Sequence, residues 1–422
     1  MRISVLTDTL YSGGAQKVAL DSALALARRG HEVSLFSEYD KKIAPAPYGV
    51  DIASIPFTKL WFKVRFNPPR GIRYLTAPFL GRAWDYALAF HKLQKNAPDI
   101  WNIHNIHGRR MPISFPFRLS LKRPVLWTFH DMWPVTGGCG FPLDSPGFTQ
   151  DCSACVCDII PSPGKKYAPS AALALRRKLW KSQHRITIVT PSEWLGREVG
   201  KSAVARHVRV EVIPNGIDTK VFTPMDKKAV RRELGIPADC VYVLILANRL
   251  GERRKGMNFA SAIASALLKA DKRIRIIYAG NQPEMSERDC SGRVYCFPYT
   301  KDPATVAKYY AASDFFLFTS TAENFPLTVL EAMACGAIVV AFACGGVPEE
   351  IIDGETGFIN KAGDVEGSVA ALLSLLGNIP LAQRIRHNAR ENVNSRFTID
   401  RMAEEYEKLM GRLVAESRDD RR

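Results

Sequence analysis

The sequence predicts an α/β protein with two doubly wound domains, each built on a parallel sheet. Short apolar runs alternate with helical patterns twice along the 422 residues, first from residue 3 and again from residue 241. Such alternation is typical of parallel strands joined by right-handed helical crossovers. The length also exceeds what one hydrophobic core usually holds. Ligand is therefore expected in a cleft at the carboxyl ends of the strands.

The first half opens with a strand at 3–7, a glycine turn and a helix at 15–29. Alanine and leucine side chains recur on one face of this helix, and Gly30 ends it. Residues 131–165 are rich in glycine, proline and cysteine, which predicts irregular structure. Further strands are predicted at 31–37, 51–56, 99–104, 124–129, 185–190 and 208–213, and helices at 84–96 and after Pro191.

The second half repeats the pattern and ends in helices. Strands are predicted at 241–247, 273–280, 294–297, 315–318 and 337–342, and helices up to 269 and at 304–312, 366–377 and 380–415. The predicted domains are 1–214 and 215–395. Residues 396–422 are predicted to form a C-terminal helix that packs back towards the first domain.

The composition favours a globular protein with an anionic partner. Hydrophobic residues make up 46%, and 58 Lys plus Arg against 42 Asp plus Glu give a net charge of +16. A nucleotide substrate, an acidic lipid surface and nucleic acid all fit that charge, although no nucleic-acid module is recognisable. No apolar run approaches the ~18–20 residues of a membrane span, and the first apolar run is too short for a signal peptide. We expect a cytoplasmic protein that can also bind to the inner face of the cell membrane.

The stretch 315–336 organises the predicted site. An apolar strand is followed by Glu323, by Pro326 at a predicted helix start, by Glu331 and by a stop at Gly336. Proline suits the first position of a helix, whose free N–H groups and dipole suit a phosphate. The two glutamates can then bind hydroxyl groups at both ends of a diphosphate-linked ligand. The alternative is that both are solvated surface charges.

Further candidates follow other predicted strands. Arg249 and Lys255 can neutralise a diphosphate, or they belong to a solvated basic loop. Two glycine pairs, Gly13-Gly14 and Gly345-Gly346, allow a ligand to approach the backbone. His130 ends an apolar strand and should face the cleft, unless it is structural. We assign His104 and His107 structural or acceptor-site roles, because no third metal ligand lies near them in sequence.

Taken together, these motifs resemble the retaining glycosyltransferases of family 4, over nearly the whole chain and in the family's order. They are Glu323-x7-Glu331, Arg249 with Lys255, the turn at 214–218 and the Gly13-Gly14-Ala15 run. The segment 128–139 is similar to a subgroup that includes colanic-acid-type exopolysaccharide transferases. The resemblance implies the GT-B fold of two Rossmann-like domains. Two departures are a spacing of Arg249 to Lys255 that is one residue longer than the commonest, and ENFP at 323–326 in place of a glycine-containing turn.

The resemblance also implies roles. Glu331 would hold the ribose of a nucleotide sugar, Arg249 and Lys255 its diphosphate, and Glu323 the sugar hydroxyls, with His130 near the sugar. Transfer to a glycan or polyprenyl-linked acceptor would proceed with retention and needs neither a metal nor a cofactor. The implied donor-binding set comprises Gly13, Gly14, Asn324, Phe325, Pro326, Leu327 and Glu331.

Two stretches keep alternatives open. Cys139, Cys152, Cys155 and Cys157 can be ligands of a structural Zn²⁺, disulfide partners or free thiols in an acceptor-side loop. Residues 57–82 interleave basic and aromatic side chains, which suits an anionic lipid surface, nucleic-acid stacking or an ordinary basic loop. A basic helix at 176–185 can extend that patch.

Two other functions compete with glycosyl transfer. A sugar-nucleotide 2-epimerase of the same fold would turn over without an acceptor and needs acid and base groups near C2. A non-catalytic nucleotide-sugar-binding protein would bind the donor without transfer or hydrolysis. The combination of Glu323, Glu331, Arg249, Lys255 and His130 favours the enzyme, since binding alone does not require all five.

Overall fold

The computed structural model describes residues 1–9, 13–37, 49–54, 97–107, 111–142, 145–153, 169–182, 184–249, 253–281 and 292–420. The helix predicted at 84–96 and the basic stretch at 57–82 lie outside these residues. The chain forms two parallel sheets, one in each half. This arrangement confirms the predicted α/β architecture.

The first sheet has seven strands in the order β3-β2-β1-β4-β5-β6-β7. Neighbouring strands all pair in parallel. Strands β2 and β3 lie on one side of β1, and β4 to β7 lie on the other. The strand order therefore reverses between β1 and β4, and this reversal opens a crevice at the carboxyl ends of these two strands. The strands are β1 Arg2–Thr7, β2 Glu32–Ser37, β3 Asp51–Ser54, β4 Ile100–Ile103, β5 Val125–Thr128, β6 Ile186–Thr190 and β7 Val210–Val212.

The helices of the first half cover this sheet. Helix α4 begins after Ser192, whose hydroxyl accepts a hydrogen bond from the Leu195 N–H and so caps the helix. The predicted irregular stretch contains two short 3-10 turns, Trp133–Val135 and Pro146–Thr149. The helices are α1 Gly14–Arg28, α2 Phe115–Ser120, α3 Pro169–Trp180 and α4 Glu193–Lys201.

The second sheet has six parallel strands in the order β10-β9-β8-β11-β12-β13. Strands β8 and β11 are neighbours at its switch point, so the turns that follow them share one edge. Strand β11 is the predicted apolar run and is buried throughout. The strands are β8 Val241–Arg249, β9 Ile274–Asn281, β10 Val294–Pro298, β11 Phe315–Phe318, β12 Ile338–Phe342 and β13 Phe358–Asn360.

The helix predicted at 380–415 is two helices. Thr398 adopts an extended conformation, and its hydroxyl accepts a hydrogen bond from the Arg401 N–H, which starts a new helix. The helices of the second half are α5 Lys227–Glu233, α6 Met257–Ala270, α7 Pro303–Ala312, α8 Leu327–Ala334, α9 Val347–Glu350, α10 Val365–Leu376, α11 Ile379–Arg396 and α12 Ile399–Asp419.

Helix α12 packs against the first half of the chain. The Tyr406 hydroxyl lies 2.9 Å from the Thr128 hydroxyl on β5. Glu407 contacts His31 at 2.8 Å and accepts a hydrogen bond from the Arg29 guanidinium at 2.7 Å. One hydrophobic core contains side chains of α1, α8 and α12 together, so apolar burial joins the two halves.

Among the described helices, none is by itself both long and apolar enough to cross a bilayer. The pair α10 and α11 reaches that length and composition together, but it bends by 109° at the break between its members.

Candidate functional site

Side chains from both sheets meet where the carboxyl ends of the strands face each other. Asn324, after β11, donates from its side-chain nitrogen to the His130 carbonyl oxygen, after β5, at 3.1 Å. The same amide accepts a hydrogen bond from the Ser192 hydroxyl at 2.6 Å. Asn324 is only 3% exposed, so both bonds are shielded from water. The cleft between the two halves is therefore closed at this point by a buried amide.

Glu323 is bound by two cations at the bottom of this cleft. Arg254 donates to its Oε1 at 2.6 Å, and the Lys255 ammonium contacts the same oxygen. Arg254 also lies over the ring of Phe141, 5.2 Å from its centroid, in the first half of the chain. Two positive groups thus share one carboxylate, and Arg254 also interacts with the Asp131 carboxyl.

Glycines allow the turns that carry these residues to approach each other closely. Gly256 has a φ of +65°, and a Cβ there would lie 1.9 Å from the Thr319 carbonyl oxygen. Gly345 has a φ of +55°, and a Cβ there would lie 1.7 Å from the Glu323 carbonyl oxygen. Only glycine fits either position. The Gly345-Gly346 pair thus supports the backbone of Glu323, a role that its sequence pattern does not indicate.

Arg249 ends β8, and its Cα is paired with that of Asn281. Its backbone therefore stands at the edge of the sheet from which the Arg254 and Lys255 turn begins. Its side chain lies outside the described structure. Arg254, in contrast, has no sequence signal of its own, although it is one residue before Lys255 and contacts Glu323 directly.

Glu331 lies on α8 and is 6% exposed. Burial raises the pKa of its carboxyl to about 7, an effect that the nearby Lys17 ammonium opposes and Asp21 reinforces. The Tyr310 hydroxyl contacts it at 3.5 Å. Lys17 and Asp21 belong to α1 and form an ion pair of 2.6 Å, so the first half of the chain faces Glu331 with charged groups.

His130 is held within a group of three histidines, of which His104 is buried and His107 and His130 are partly exposed. Its Nε2 lies 3.0 Å from His104 Nδ1, and burial lowers the pKa of His130 to about 3. His107 Nε2 lies 3.3 Å from Asp131 Oδ1, and its ring packs against Trp133. Burial raises the pKa of Asp131 to about 7, and the hydrogen bond from the Trp133 N–H and the charge of Arg254 oppose this rise. Asp131 directly follows His130 in the chain and is a further carboxyl at this site, for which the sequence gives no separate signal.

The remaining predicted donor-binding residues lie in and around the turn before α8. The Phe325 carbonyl accepts a hydrogen bond from the Asn215 side chain at 3.1 Å, so the predicted 214–218 turn supports this segment. Pro326 is extended, with a φ of −75° and a ψ of 118°, and α8 begins at Leu327. The proline is thus the capping residue and not the first helical residue, a one-position correction.

Gly13 and Gly14 lie at the start of α1 and are exposed. Gly13 is extended, with a φ of 176°, a conformation open to any residue. A Cβ at Gly14 would meet no atom within 4 Å. A Cβ at Gly13 would lie 2.9 Å from Gln16 Oε1, so open space lies beside the backbone at Gly14 and not at Gly13.

Glu349 makes a further contact between the two halves. Its carboxylate accepts hydrogen bonds from the backbone N–H groups of Glu193 and Trp194, at 2.7 Å each. These N–H groups open α4, where a negative charge is favourable. A glutamate after a Gly-Gly pair carries no sequence signal for this role, because its partner is a helix end 155 residues away.

No set of three or more histidine, cysteine, aspartate or glutamate side chains is arranged to hold a metal ion within the described part of the chain. Cys139 and Cys152 are both buried. The other two members of the predicted cysteine group, Cys155 and Cys157, lie outside the described residues.

Two family models match the chain in tandem. A model described as Glycosyltransferase Family 4 matches residues 12–221, and one described as Glycosyl transferases group 1 matches residues 241–378. The two matches divide the chain at the same place as its two sheets, and each includes one side of the cleft.

Curated relatives share about a quarter of the residues. A D-inositol 3-phosphate glycosyltransferase of Mycolicibacterium paratuberculosis is 27% identical over 384 residues, covering 86% of this chain and 78% of the relative. An N-acetyl-alpha-D-glucosaminyl L-malate synthase of Bacillus anthracis is 27% identical over 207 residues, covering 47% of this chain and 53% of the relative. The chain therefore matches only about half the length of the second protein.

Solved structures share the whole architecture. The sucrose-phosphate synthase of Thermosynechococcus elongatus superposes with a TM-score of 0.72 at 20% identity, covering 98% of this chain and 99% of that one. Anabaena Alr3699/HepE in complex with UDP gives a TM-score of 0.69 at 18% identity, covering 97% and 100%. At these identities the likeness establishes the fold, which is GT-B.

Proposed function

Because the chain belongs to the glycosyltransferases of the family 4 type, we propose that it transfers a sugar from a nucleotide-diphosphate sugar to a glycan or lipid-linked acceptor. The observation that carries the proposal is the cation pair on Glu323. Arg254 and Lys255 outnumber the single carboxylate that they share, in a cleft between two sheets. A diphosphate is the kind of ligand that a neighbouring arginine and lysine bind. Anabaena Alr3699/HepE, which shares the fold, is described in complex with UDP.

The proposed donor lies along the edge of the second sheet. Glu331 binds the ribose hydroxyls, Lys255 and Arg249 bind the diphosphate, and Glu323 binds the sugar hydroxyls. When the diphosphate enters, it competes with Glu323 for the two cations. The carboxylate is then released to accept hydrogen bonds from the sugar. Arg254 joins this set as a residue proposed from the geometry alone.

The proposed reaction retains the anomeric configuration. The acceptor hydroxyl attacks from the face that the diphosphate leaves, and the leaving phosphate takes up the acceptor's proton. Lys255 and Arg254 stabilise the charge that develops on the leaving group, as positioned cations do in a site with little water. No step in this scheme uses a metal ion. Transfer is therefore expected to continue after treatment with a chelator, and its loss with an intact fold would contradict this scheme.

The acceptor side is proposed to lie on the first sheet. Asp8 follows β1, His107 follows β4, and Asp131 follows β5, so three polar side chains share the edge opposite the donor. Their place opposite the Glu323 turn supports a polyhydroxylated acceptor such as a growing polysaccharide. Assembly of a bacterial surface polysaccharide, which offers an acceptor of this kind, is the role that we propose.

A basic face of the first domain supports contact with an anionic membrane. Helices α2 and α3 pack together through Phe117 and Trp180, whose ring centroids lie 4.9 Å apart. No acidic residue occurs in 111–123 or 169–182. Leu121 and Leu175 are 66% and 51% exposed among these cations, which suits a lipid surface. The exposed basic residues of this face are Arg118, Lys122, Lys178 and Lys181.

Arg176 does not join that face, although the sequence places it in the basic run. It is 5% exposed, and its guanidinium lies 4.8 Å from the Trp133 ring centroid. Fewer basic side chains of α3 are therefore available to a membrane than the predicted basic helix at 176–185 would provide.

A donor screen tests the proposed function. The full chain is incubated with a panel of nucleotide sugars, and release of nucleoside diphosphate is followed with and without a crude lipid-linked acceptor fraction. We expect slow hydrolysis of one donor and faster release when acceptor is present. Interconversion of the sugar without acceptor would indicate the epimerase. Binding of a donor with no turnover under either condition would indicate a non-catalytic binding protein.

A further inference from the structure

His104 and His130 form a pair at the cleft, in which His104 is buried and His130 is partly exposed. They follow the neighbouring parallel strands β4 and β5, whose register pairs Ile103 with Trp127. His104 Nδ1 and His130 Nε2 are 3.0 Å apart, and the two rings stack with centroids 5.3 Å apart at 22°. His104 is 1% exposed. One nitrogen of each ring is therefore committed to the other ring.

A single proton lies between the two rings. Burial lowers the pKa of His104 well below its ordinary value and that of His130 to about 3, so both rings are neutral. A neutral imidazole carries one N–H, and the nitrogen that bears it depends on its partners. Either His104 donates from Nδ1, or His130 donates from Nε2.

The surroundings of His104 Nε2 decide between these two arrangements. His104 Nε2 is buried and has no hydrogen-bond partner in the described structure. The Tyr406 ring also lies near His104, with its centroid 6.3 Å away, but the Tyr406 hydroxyl is paired with Thr128. A buried N–H without an acceptor is rarer and more costly than a lone pair without a donor. The proton of His104 therefore belongs on Nδ1.

We propose that His104 is a positioning residue, whose Nδ1–H donates to His130 Nε2 and so leaves His130 with an N–H on Nδ1. That second nitrogen of His130 has no partner among the described residues and is not one of the buried unpartnered atoms. His130 thus presents a hydrogen-bond donor to the ligand in the cleft. The other tautomer would present a lone pair, which can accept a hydrogen bond from a sugar hydroxyl but repels a phosphate oxygen.

The backbone of His130 is fixed from the other side of the cleft. Its carbonyl oxygen accepts the hydrogen bond from Asn324, in the second domain. The ring is held from behind by His104, and the backbone is held from in front by Asn324. The direction of the Nδ1–H is thereby determined by one residue from each domain. The inference rests on the proposed function in one respect only, that a donor sugar or phosphate occupies the cleft.

The tautomer is tested directly by nitrogen NMR. The full chain is labelled with ¹⁵N-histidine, and long-range ¹H–¹⁵N spectra are recorded near neutral pH. His104→Asn and His130→Gln variants assign the signals. We expect a protonated, pyrrole-type nitrogen at His130 Nδ1 and an unprotonated, pyridine-type nitrogen at His130 Nε2. Protonation of His130 Nε2, averaging between the two forms or a charged ring would overturn the proposal.

The consequence for catalysis is tested with two substitutions. His104→Leu removes the donor, and we expect kcat to fall about ten- to hundred-fold with little change in donor KM, as when a group that orients a functional histidine is lost. His104→Asn retains an N–H near the position of Nδ1 and should recover most of the rate. Equal rates for His104→Leu and wild type, or equal losses in both variants, would overturn the positioning role.

The NMR result does not depend on turnover. If no donor supports transfer and the expected tautomer is observed, the proposed function fails and the histidine assignment stands. If transfer is found with the opposite tautomer, the histidine assignment fails alone. Should the leucine variant not fold, the spectrum of the wild-type chain and the rate of the asparagine variant still decide the proposal.

Discussion

Glu323 and Lys255 are joined by an ion pair, although they lie on turns 68 residues apart in sequence. The turn after β8 is anchored to the turn after β11 by a backbone hydrogen bond from Thr321 to the Arg254 carbonyl, at 2.8 Å. The side chain proposed for the sugar and the side chain proposed for the diphosphate are therefore bound to each other before any ligand arrives. Donor binding must exchange this contact for contacts with the ligand.

The first prediction concerns this exchange. Lys255→Ala removes a cation from the leaving group and should lower kcat about 10²-fold or more. Glu323→Gln removes a charge-assisted hydrogen bond to the sugar and should cost about 1.5–3 kcal/mol in kcat/KM, which is roughly ten- to hundred-fold. Initial rates of transfer measure both. The exposed Lys269 provides a control, since Lys269→Ala should leave the rate unchanged. Wild-type rates in both site variants would show that the site lies elsewhere.

The second prediction concerns the contacts that close the cleft. Asn324→Ala removes the bonds to Ser192 and to the His130 carbonyl, and Glu349→Gln weakens the bond to the start of α4. Each buried hydrogen bond contributes about 1 kcal/mol, and those to charged groups more. We expect a larger radius of gyration by X-ray scattering and a higher donor KM in both variants.

The exposed Glu355 offers the matched control for this experiment, since Glu355→Gln removes an equal charge from a side chain that makes no hydrogen bond or ion pair among the described residues. Scattering curves that overlay for all three variants and the wild type would mean that these bonds do not determine closure.

The third prediction follows from Glu331. Its pKa is raised to about 7 in the folded protein by burial, from an ordinary value of 4.5. Between these two pH values the folded state holds a proton that the unfolded state has lost, so stability falls as pH rises. The contribution is fully present below 4.5 and is lost as pH rises through 7. Glu331→Gln removes this pH-dependent contribution. Between pH 5 and pH 8, the free energy of unfolding of the variant should therefore fall by about 1–3 kcal/mol less than that of the wild type.

Thermal unfolding at a series of pH values measures this difference. Glu391 is exposed, and Glu391→Gln should reproduce the wild-type slope. The same slope in Glu331→Gln would show that the carboxyl titrates normally in the folded chain.

The fourth prediction concerns the basic face of α2 and α3. A triple variant, Lys122→Glu with Lys178→Glu and Lys181→Glu, reverses three exposed charges on this face. Each basic group near an anionic surface contributes about 1 kcal/mol of attraction. Cosedimentation with phosphatidylglycerol vesicles should therefore fall sharply, and the rate on a soluble acceptor should not change.

The same change in charge at Lys269, Lys272 and Lys301, exposed residues of the second domain, supplies the control. Equal loss of vesicle binding in both triple variants would indicate a general effect of net charge, and unchanged binding in the first would place the membrane contact on another surface.

Much of the architecture follows from local sequence pattern. The apolar run at 315–318 is a buried strand, and Gly336, with a φ of +85°, follows the end of α8 as predicted. Periodicity and glycine positions report such features because they depend on a few consecutive residues. The prediction of one helix at 380–415 was wrong in one respect. The helix breaks at Thr398, and this break depends on one capping hydroxyl within a continuous helical pattern.

The sequence by itself determined the parallel sheets, the edge at which polar residues gather and the order of the site motifs along the chain. Only the tertiary structure decided that Asn324 joins His130 to Ser192, that Glu349 meets the start of α4 and that His104 lies behind His130. The physical reason is the large separation in sequence between the residues that make these contacts. A hydrogen bond of about 3 Å between residues far apart in sequence depends on how two complete domains pack, and no local period encodes that distance.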